Sequence, residues 1–380
     1  MRRVGVVTSW GSRCGIAEYS RSLLAAVPAG RFEFLVLADD DVEFADDDTR
    51  VVRCWRRGDD DVRGILDAVR AEGLEAVVFE FNWGYLNPGA MGEVLRALHA
   101  AGVATVVQFH ATEGRPVDGR FETLDCIASE LAATEVLVAH SDADEAELRR
   151  IAPNVPIART VLGQRTFPDE PAAAARDALG ISGRTPVVAT FGFLIPHKGV
   201  LELIDSVPLL AETNPDVCLL AVCAVIPTMR ASVELRFDCA VKVRRLGLEN
   251  RVACIHEFLL ESVAMTFLHA ADVIVLPYGA TRESASAAAR FVLSSSRPVV
   301  TSDAPIFDAL GDAVHRIDDI TPAGIARGVS ELMADEAKRS DMVAAAADLT
   351  RAAAWPKLGG EFADLLGGVL ESDSRSSGPS

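Results

Sequence analysis

Thr281 to Asp308 reads T-R-E-S-A-S-A-A-A-R-F-V-L-S-S-S-R-P-V-V-T-S-D-A-P-I-F-D. An apolar run, Val273 to Leu276, precedes it and is closed by Pro277, and a second strand pattern, Pro298 to Thr301, lies within it. Between the two, the small residues from Ser284 to Ala289 suit a tight turn that opens a helix. Strand, exposed loop, helix and strand form the unit of an open parallel sheet, which binds ligands at the carboxyl ends of its strands. On this reading Glu283 stands at the mouth of a helix whose first backbone N–H groups lack intrahelical partners and can hold an anion such as a phosphate.

The same rhythm extends outward in both directions. Upstream, strands are expected at Val187–Phe191, Val217–Val222 and Val252–Ile255, with helices at Val200–Glu212 (interrupted by Pro208), Val233–Leu246 and Ser262–Ala270. Downstream, Pro322–Ala334 and Glu336–Ala354 read as helices. The first half repeats the pattern, with strands at Val4–Val7, Phe34–Leu37, Val51–Trp55, Ala76–Phe79, Thr105–Phe109 and Glu135–Ala139. Helices are expected there at Ile16–Val27, Asp60–Ala71, Met91–Ala101, Glu122–Ala133 and Asp144–Ile151, the last capped by Ser141 or Asp142. Between Ala152 and Pro186 the rhythm stops in a segment holding Pro153, Pro156, Pro168 and Pro171, which reads as a linker. The expectation is an α/β chain of two Rossmann-like domains, 1–165 and 166–354. A last helix, 355–370, would cross back to the first half, ahead of a disordered tail, 371–380.

The totals narrow the function. The 380 residues suffice for two domains, and a net charge of −18 argues against nucleic acid as a main partner. No run approaches the roughly 20 apolar residues of a membrane span, and the opening Met1-Arg2-Arg3-Val4-Gly5-Val6-Val7 reads as a first strand, not a signal peptide. The acidic run from Asp39 to Asp48 reads as a solvated loop. Seven scattered cysteines, including Cys218 and Cys223 among apolar neighbours, read as buried free thiols in a reducing cytoplasm. No Gly-x-Gly-x-x-Gly follows a strand, which disfavours a dinucleotide-dependent oxidoreductase. A homodimer is left open.

Three groups of residues carry a resemblance. Cys14-Gly15-Ile16-Ala17-Glu18-Tyr19-Ser20-Arg21-Ser22-Leu23-Leu24 resembles the first loop and helix of the retaining GT-B glycosyltransferases of the family-four type, also called glycosyl transferases group 1. Phe191-Gly192-Phe193-Leu194-Ile195-Pro196-His197-Lys198-Gly199 resembles that family's donor-phosphate loop. Ala271-Asp272-Val273-Ile274-Val275-Leu276-Pro277, Glu283 and Arg297-Pro298-Val299-Val300-Thr301 follow its C-terminal signature in order. The resemblance spans nearly the whole chain. It implies a GT-B fold, two Rossmann-like domains facing each other across a cleft, with the donor on the second, the acceptor on the first and reaction between them. It also implies transfer of a sugar from a nucleotide-diphosphate sugar (UDP or GDP among the candidates) to a hydroxyl acceptor with retention, without metal or other cofactor. Two positions depart from the pattern. The family usually carries two glutamates eight positions apart; Glu283 occupies the first and Phe291 the second, beside Arg290. Phe193 stands where the family often has an arginine.

The candidate site residues follow. Lys198 would stabilise the leaving diphosphate, and Gly192 and Gly199 would let the backbone approach it closely. By resemblance, Glu283 and His110 would position the donor sugar, giving His110, Lys198 and Glu283 as the catalytic set. Gly15, Gly192, Phe193, Ser284, Ala285 and Ser286 would line the donor, and Glu257, Phe258 and Leu259 would meet the base. Glu18, Glu80, Asn82 and Trp83 would face the acceptor, with Tyr85, His140 and Ser141 on the same strand-end edge, whereas Tyr19 reads as packing. Asp142 and Asp144 read as acids of a helix N-terminus and not as a metal site. A nucleotide-sugar epimerase of the same architecture and a catalytically silent homologue acting as a binding partner are the alternatives.

Overall fold

The computed structural model describes residues 1–43, 50–117, 119–168, 170–183, 185–281, 283 and 285–376. The chain divides into two compact units. One holds residues 1–163, Glu283, Ala285 and the segment from Ala353 onward, and the other holds Gln164–Thr281 and Ser286–Ala352.

The first unit runs β1 (Arg2–Thr8), α1 (Gly15–Ala26), β2 (Phe32–Asp39), β3 (Val51–Trp55), α2 (Arg63–Glu72), β4 (Ala76–Phe81), α3 (Pro88–Ala100) and β5 (Ala104–Phe109). A hairpin of β6 (Arg115–Val117) and β7 (Arg120–Glu122) follows, then α4 (Ala128–Leu131), β8 (Val136–Ala139), α5 (Asp142–Ile151) and β9 (Ile157–Arg159). Seven of these strands form a parallel sheet in the order β3-β2-β1-β4-β5-β8-β9. Its order reverses between β1 and β4, and in doubly wound sheets the crevice for ligands opens at that point.

The second unit runs α6 (Ala172–Leu179), β10 (Val187–Phe193), α7 (Val200–Thr213), β11 (Cys218–Ala224), α8 (Arg230–Arg245), β12 (Val252–Ile255), α9 (Glu261–His269) and β13 (Val273–Leu276). It continues through α10 (Ala287–Leu293), β14 (Val299–Ser302), β15 (His315–Ile317), α11 (Pro322–Ala334) and α12 (Glu336–Ala352). Its parallel sheet has the order β12-β11-β10-β13-β14-β15, which reverses between β10 and β13. The last helix, α13 (Trp355–Ser376), belongs to the first unit.

The strands read as unbroken apolar runs because both faces of each sheet are covered. Alternate residues serve opposite layers: Val4 and Val6 of β1 join Tyr19, Leu23, Phe362 and Leu366 beneath α1 and α13, while Val7 joins Leu37, Phe79 and Met91 on the other face. In the second unit Val273 and Val275 enter one layer and Ile274 and Leu276 the other.

Four sequence expectations change. The segment from Ala152 to Pro186 contains β9, which extends the first sheet, and α6, whose Arg176 donates to the Ala270 carbonyl and pairs with Asp272 at 2.6 Å. Its prolines bound these elements; they do not exclude them. Residues 122–133 are not one helix: β7 ends at Glu122, and a turn at Leu124–Ile127 precedes the four-residue α4. The tail expected to be disordered from Glu371 is helical through Ser376, because no glycine or proline interrupts the hydrogen-bond ladder there; residues 377–380 lie outside the described residues. Asp39 is not a solvated loop residue but the fully buried end of β2, while residues 44–48 of the acidic run lie outside the described residues. Among the described residues no helix is long and apolar enough to cross a membrane.

Candidate functional site

In the second unit, the site is built where the strand order reverses. The loop after β10 and the loop after β13 are tied together at this point: Gly279 N donates to the His197 carbonyl at 2.7 Å. Gly199 holds φ +67°, and a Cβ there would lie 2.2 Å from the Pro277 carbonyl oxygen, so only glycine allows the two backbones to touch. Gly192 holds φ +138°, with its vacant Cβ position 3.5 Å from Ala288 Cβ and 3.9 Å from the Tyr278 hydroxyl. The Lys198 ammonium consequently sits 3.8 Å from the centre of the buried Tyr278 ring, a cation–π seat that fixes a charge only 7% exposed. A lysine so placed offers a preorganised positive charge at the sheet's ligand-binding edge.

Around this seat the predicted donor residues divide. Ser286 caps α10, its Oγ accepting from Ala289 N at 3.1 Å, and so occupies one of the N–H groups expected to hold an anion. Glu283 is exposed, three residues ahead of that cap; it and Ala285 belong to the first unit, where Ala285 packs against the layer under α1. Ser284 lies outside the described residues. Phe193 stacks on Phe258, ring centres 5.9 Å apart, with Leu259 half-buried beside it, while Glu257 is exposed and accepts from the His256 amide. Phe291 stacks on Phe191 at 4.7 Å and meets Phe167 edge-on at 5.6 Å, an aromatic environment in which an acid would be stranded.

In the first unit, the ends of β4, β5 and β8 bring His110, Glu80, Gln108 and His140 together with Tyr19 of α1. His110 Nε2 donates to Glu80 Oε2 at 2.7 Å, and Glu80 is only 1% exposed. A carboxylate only accepts, so Nε2 carries the proton of this contact, and Nδ1 makes no hydrogen bond to a described residue. Gln108 Nε2 donates to the Tyr19 hydroxyl at 2.5 Å and lies 3.2 Å from His140 Nε2. The Tyr19 ring stands edge-on to both histidines, and burial pushes its phenol well above the ordinary tyrosine range, keeping it neutral. Tyr19 is therefore part of this polar cluster and not mere packing. Gln108 and Tyr19 gave no sequence signal beyond their places at a strand end and in the first helical turns.

The remaining acceptor candidates fare differently. Glu80 is turned inward to His110, so its role becomes orienting the ring. Trp83 is buried against Phe81, with Arg115 over its ring, and forms part of the core. Asn82 Oδ1 accepts from Gly84 N at 2.9 Å, holding its own loop. Glu18 pairs with Arg21 at 2.5 Å along α1. Gly15 starts α1 with open space around it; the left-handed glycine of this loop is Gly11, φ +68°. Ser141 caps α5, and Asp144 is buried, accepting from Thr112 and Ser141 at 2.6 Å each, while Asp142 pairs with Arg159.

A further cluster escaped the sequence reading. The Arg57 guanidinium donates to Ser9, Ser12 and the buried Asp39 and lies over the Tyr85 ring, whose hydroxyl is 2.7 Å from Cys14 Sγ. Burial raises the Asp39 carboxyl above its ordinary value, and Arg57 opposes that rise. Nothing in the spacing of Ser9, Asp39 and Arg57 announces that three strand ends converge.

No protein-family model matches the chain, and no curated protein matches it by sequence. Solved structures do. A sucrose-phosphate synthase from Thermosynechococcus elongatus superposes with a TM-score of 0.77 over 98% of this chain and 100% of that one, at 16% identity. HepE from Anabaena, in complex with UDP, gives 0.71 over 97% and 100%, at 17% identity. A trehalose 6-phosphate synthase from Burkholderia multivorans gives 0.72 over 100% and 99%, at 14% identity. With two parallel doubly wound sheets and full-length superposition, the chain has the GT-B fold, the fold of the glycosyltransferases that its sequence resembles.

Proposed function

We infer that this chain transfers a sugar from a nucleotide-diphosphate sugar to a hydroxyl acceptor. The observation that carries the reading is the seat of Lys198, a buried ammonium held over Tyr278 where the second sheet reverses its strand order. As the bond from the anomeric carbon to the diphosphate breaks, negative charge grows on the leaving group, and a fixed cation stabilises it without reorganisation. Gly192 leaves its backbone open to a phosphate, while Gly199 lets the Lys198 loop meet the Pro277 carbonyl. In the first unit, His110 Nδ1 accepts a hydrogen bond from a substrate hydroxyl, with Glu80 holding the ring in the tautomer that can do so. Glu283 positions the donor sugar, as the family resemblance suggests. Retention of anomeric configuration, with the donor phosphate taking the acceptor proton, and independence of metal complete the proposal. Because HepE was determined in complex with UDP, UDP is the first nucleotide to test.

Phe291 and Phe193, each in an aromatic stack where the family places polar groups, favour a second reading: nucleotide-sugar binding without transfer.

The test is the melting temperature of the full chain with UDP, GDP, dTDP and ADP and their sugars, wild type beside Lys198→Ala. A ligand at a hundredfold excess over its Kd adds about 2.7 kcal/mol to the folded state. One nucleotide should raise the wild-type transition, and Lys198→Ala should abolish the rise. No rise with any nucleotide rejects the donor site. A rise without hydrolysis or transfer supports the second reading.

A further inference from the structure

Tyr278 follows β13 at the carboxyl edge of the second sheet and is only 1% exposed. Three contacts hold its ring: the Lys198 ammonium lies 3.8 Å from its centre, Phe307 packs at 5.0 Å and His197 stands edge-on at 6.1 Å. Its hydroxyl has no hydrogen-bond partner among the described residues. A buried phenol ordinarily finds a partner, and one left without costs stability. Phenylalanine would make the same ring contacts, cation–π included, without that cost. The ring contacts therefore account for an aromatic residue here, and the hydroxyl calls for a ligand.

The surroundings of that hydroxyl indicate which ligand. It lies 3.9 Å from the point a Cβ on Gly192 would occupy, and Ala288 Cβ lies 3.5 Å from the same point. Among the described residues, apart from the chain neighbours of Gly192, nothing else comes within 4 Å of it. A gap the size of a methyl group is thus open between Gly192, Ala288 and the hydroxyl, and Gly192 and Ala288 are only half-buried. The phenol ring is small and rigid, so a charge over its centre and the oxygen on its rim stand close enough for the oxygens of one phosphate to meet both. An ionised phosphate oxygen accepts and a phenol O–H donates, which makes a charge-assisted bond. We propose that the Tyr278 hydroxyl donates a hydrogen bond to a phosphate oxygen of the nucleotide sugar, so that one side chain both seats the Lys198 cation and binds the anion. This assignment rests on the donor-site reading above and adds to it a neutral donor beside the cation.

Tyr278→Phe tests it, because this change keeps the ring beneath Lys198 and removes the hydroxyl alone. The full-length variant and wild type are melted without ligand. They are then titrated with whichever nucleoside diphosphate stabilises the wild type, with its sugar conjugates and with the matching nucleoside. Without ligand Tyr278→Phe should melt no lower than wild type, since the hydroxyl it removes has no partner. Affinity for the diphosphate and for its sugar conjugates should fall roughly tenfold to a hundredfold, the loss expected of a hydrogen bond to a charged group. The nucleoside, which carries no phosphate, should bind the two proteins alike. Unchanged diphosphate affinity, a loss confined to the sugar conjugates, or an equal loss for the nucleoside overturns the assignment. A lower ligand-free melting temperature does so too, because it gives the hydroxyl a structural role. A wild type that no nucleotide stabilises defeats the donor-site reading instead.

Discussion

Gly199 and Gly15 look alike in the sequence, each opening a helix after a strand, yet they answer to different constraints. At Gly199 a side chain would meet both the left-handed backbone and the Pro277 carbonyl oxygen 2.2 Å away. Gly199→Ala should therefore lower stability by about 2 kcal/mol or more, the left-handed conformation alone costing roughly 1–2, and should weaken nucleotide binding as Lys198 shifts. Gly15→Ala, in open space without positive φ, should be neutral or slightly stabilising. Urea midpoints of the two variants check the contrast; equal losses would mean that the loop contact is not what constrains Gly199. His315 gives a pH prediction. Its Nδ1 lies 2.9 Å from the Lys338 ammonium, which donates to it only while the ring nitrogen is unprotonated. Burial, and then Lys338, hold the ring below its ordinary 6.5. The unfolded chain therefore takes up the proton first, and stability present above pH 6.5 is lost as pH falls below it. Urea midpoints from pH 7.5 to 5.5 should fall less steeply in His315→Gln; an unaltered slope would rule this group out as a source of the dependence.

Among the elements, α13 depends on one small residue for its seat. Gly359 lets it approach α1 so closely that a Cβ would lie 2.2 Å from the Ala26 carbonyl oxygen and 2.8 Å from Ala26 Cβ. Gly359→Leu must separate the helices, and a loss of about 1–3 kcal/mol is expected from overpacking. The readout is a lower melting transition with retained nucleotide stabilisation. Loss of the nucleotide shift as well would show that the helix contact reaches the donor unit. The strands of this chain were readable because buried parallel strands are unbroken apolar runs. Strand β9 and helix α6 were not, since each is short and lies between prolines that resemble a linker.

For the whole molecule, the first unit is assembled from both ends of the chain. Phe362, Leu366, Val369 and Leu370 of α13 are buried in the same layer as Val4, Val6 and Leu23. Each such side chain contributes about 1.5–3 kcal/mol by leaving water, so a chain ending at Ala352 should lose the stable fold of the first unit. The second unit keeps its own two layers and its Lys198 seat, and should still be stabilised by the nucleotide. Limited proteolysis of the truncated chain, with and without nucleotide, tests this: digestion of residues 164–352 at the rate of the first unit, unaffected by nucleotide, would show that the second unit does not stand alone.

Local periodicity determined the class of this protein. Runs such as Val4–Val7 and Val273–Leu276, separated by helical patterns, can bury both faces only in covered parallel sheets, and the loop around Lys198 carries its glycines in plain view. What the sequence could not determine is which side chains meet. Glu80 and His110 are thirty positions apart, as are Ser9 and Asp39, and they touch because adjacent parallel strands bring their carboxyl ends to one edge. Tyr19 read as packing until that edge placed it edge-on to two histidines. Pairing and burial are properties of strand order and register, which short-range sequence patterns do not encode.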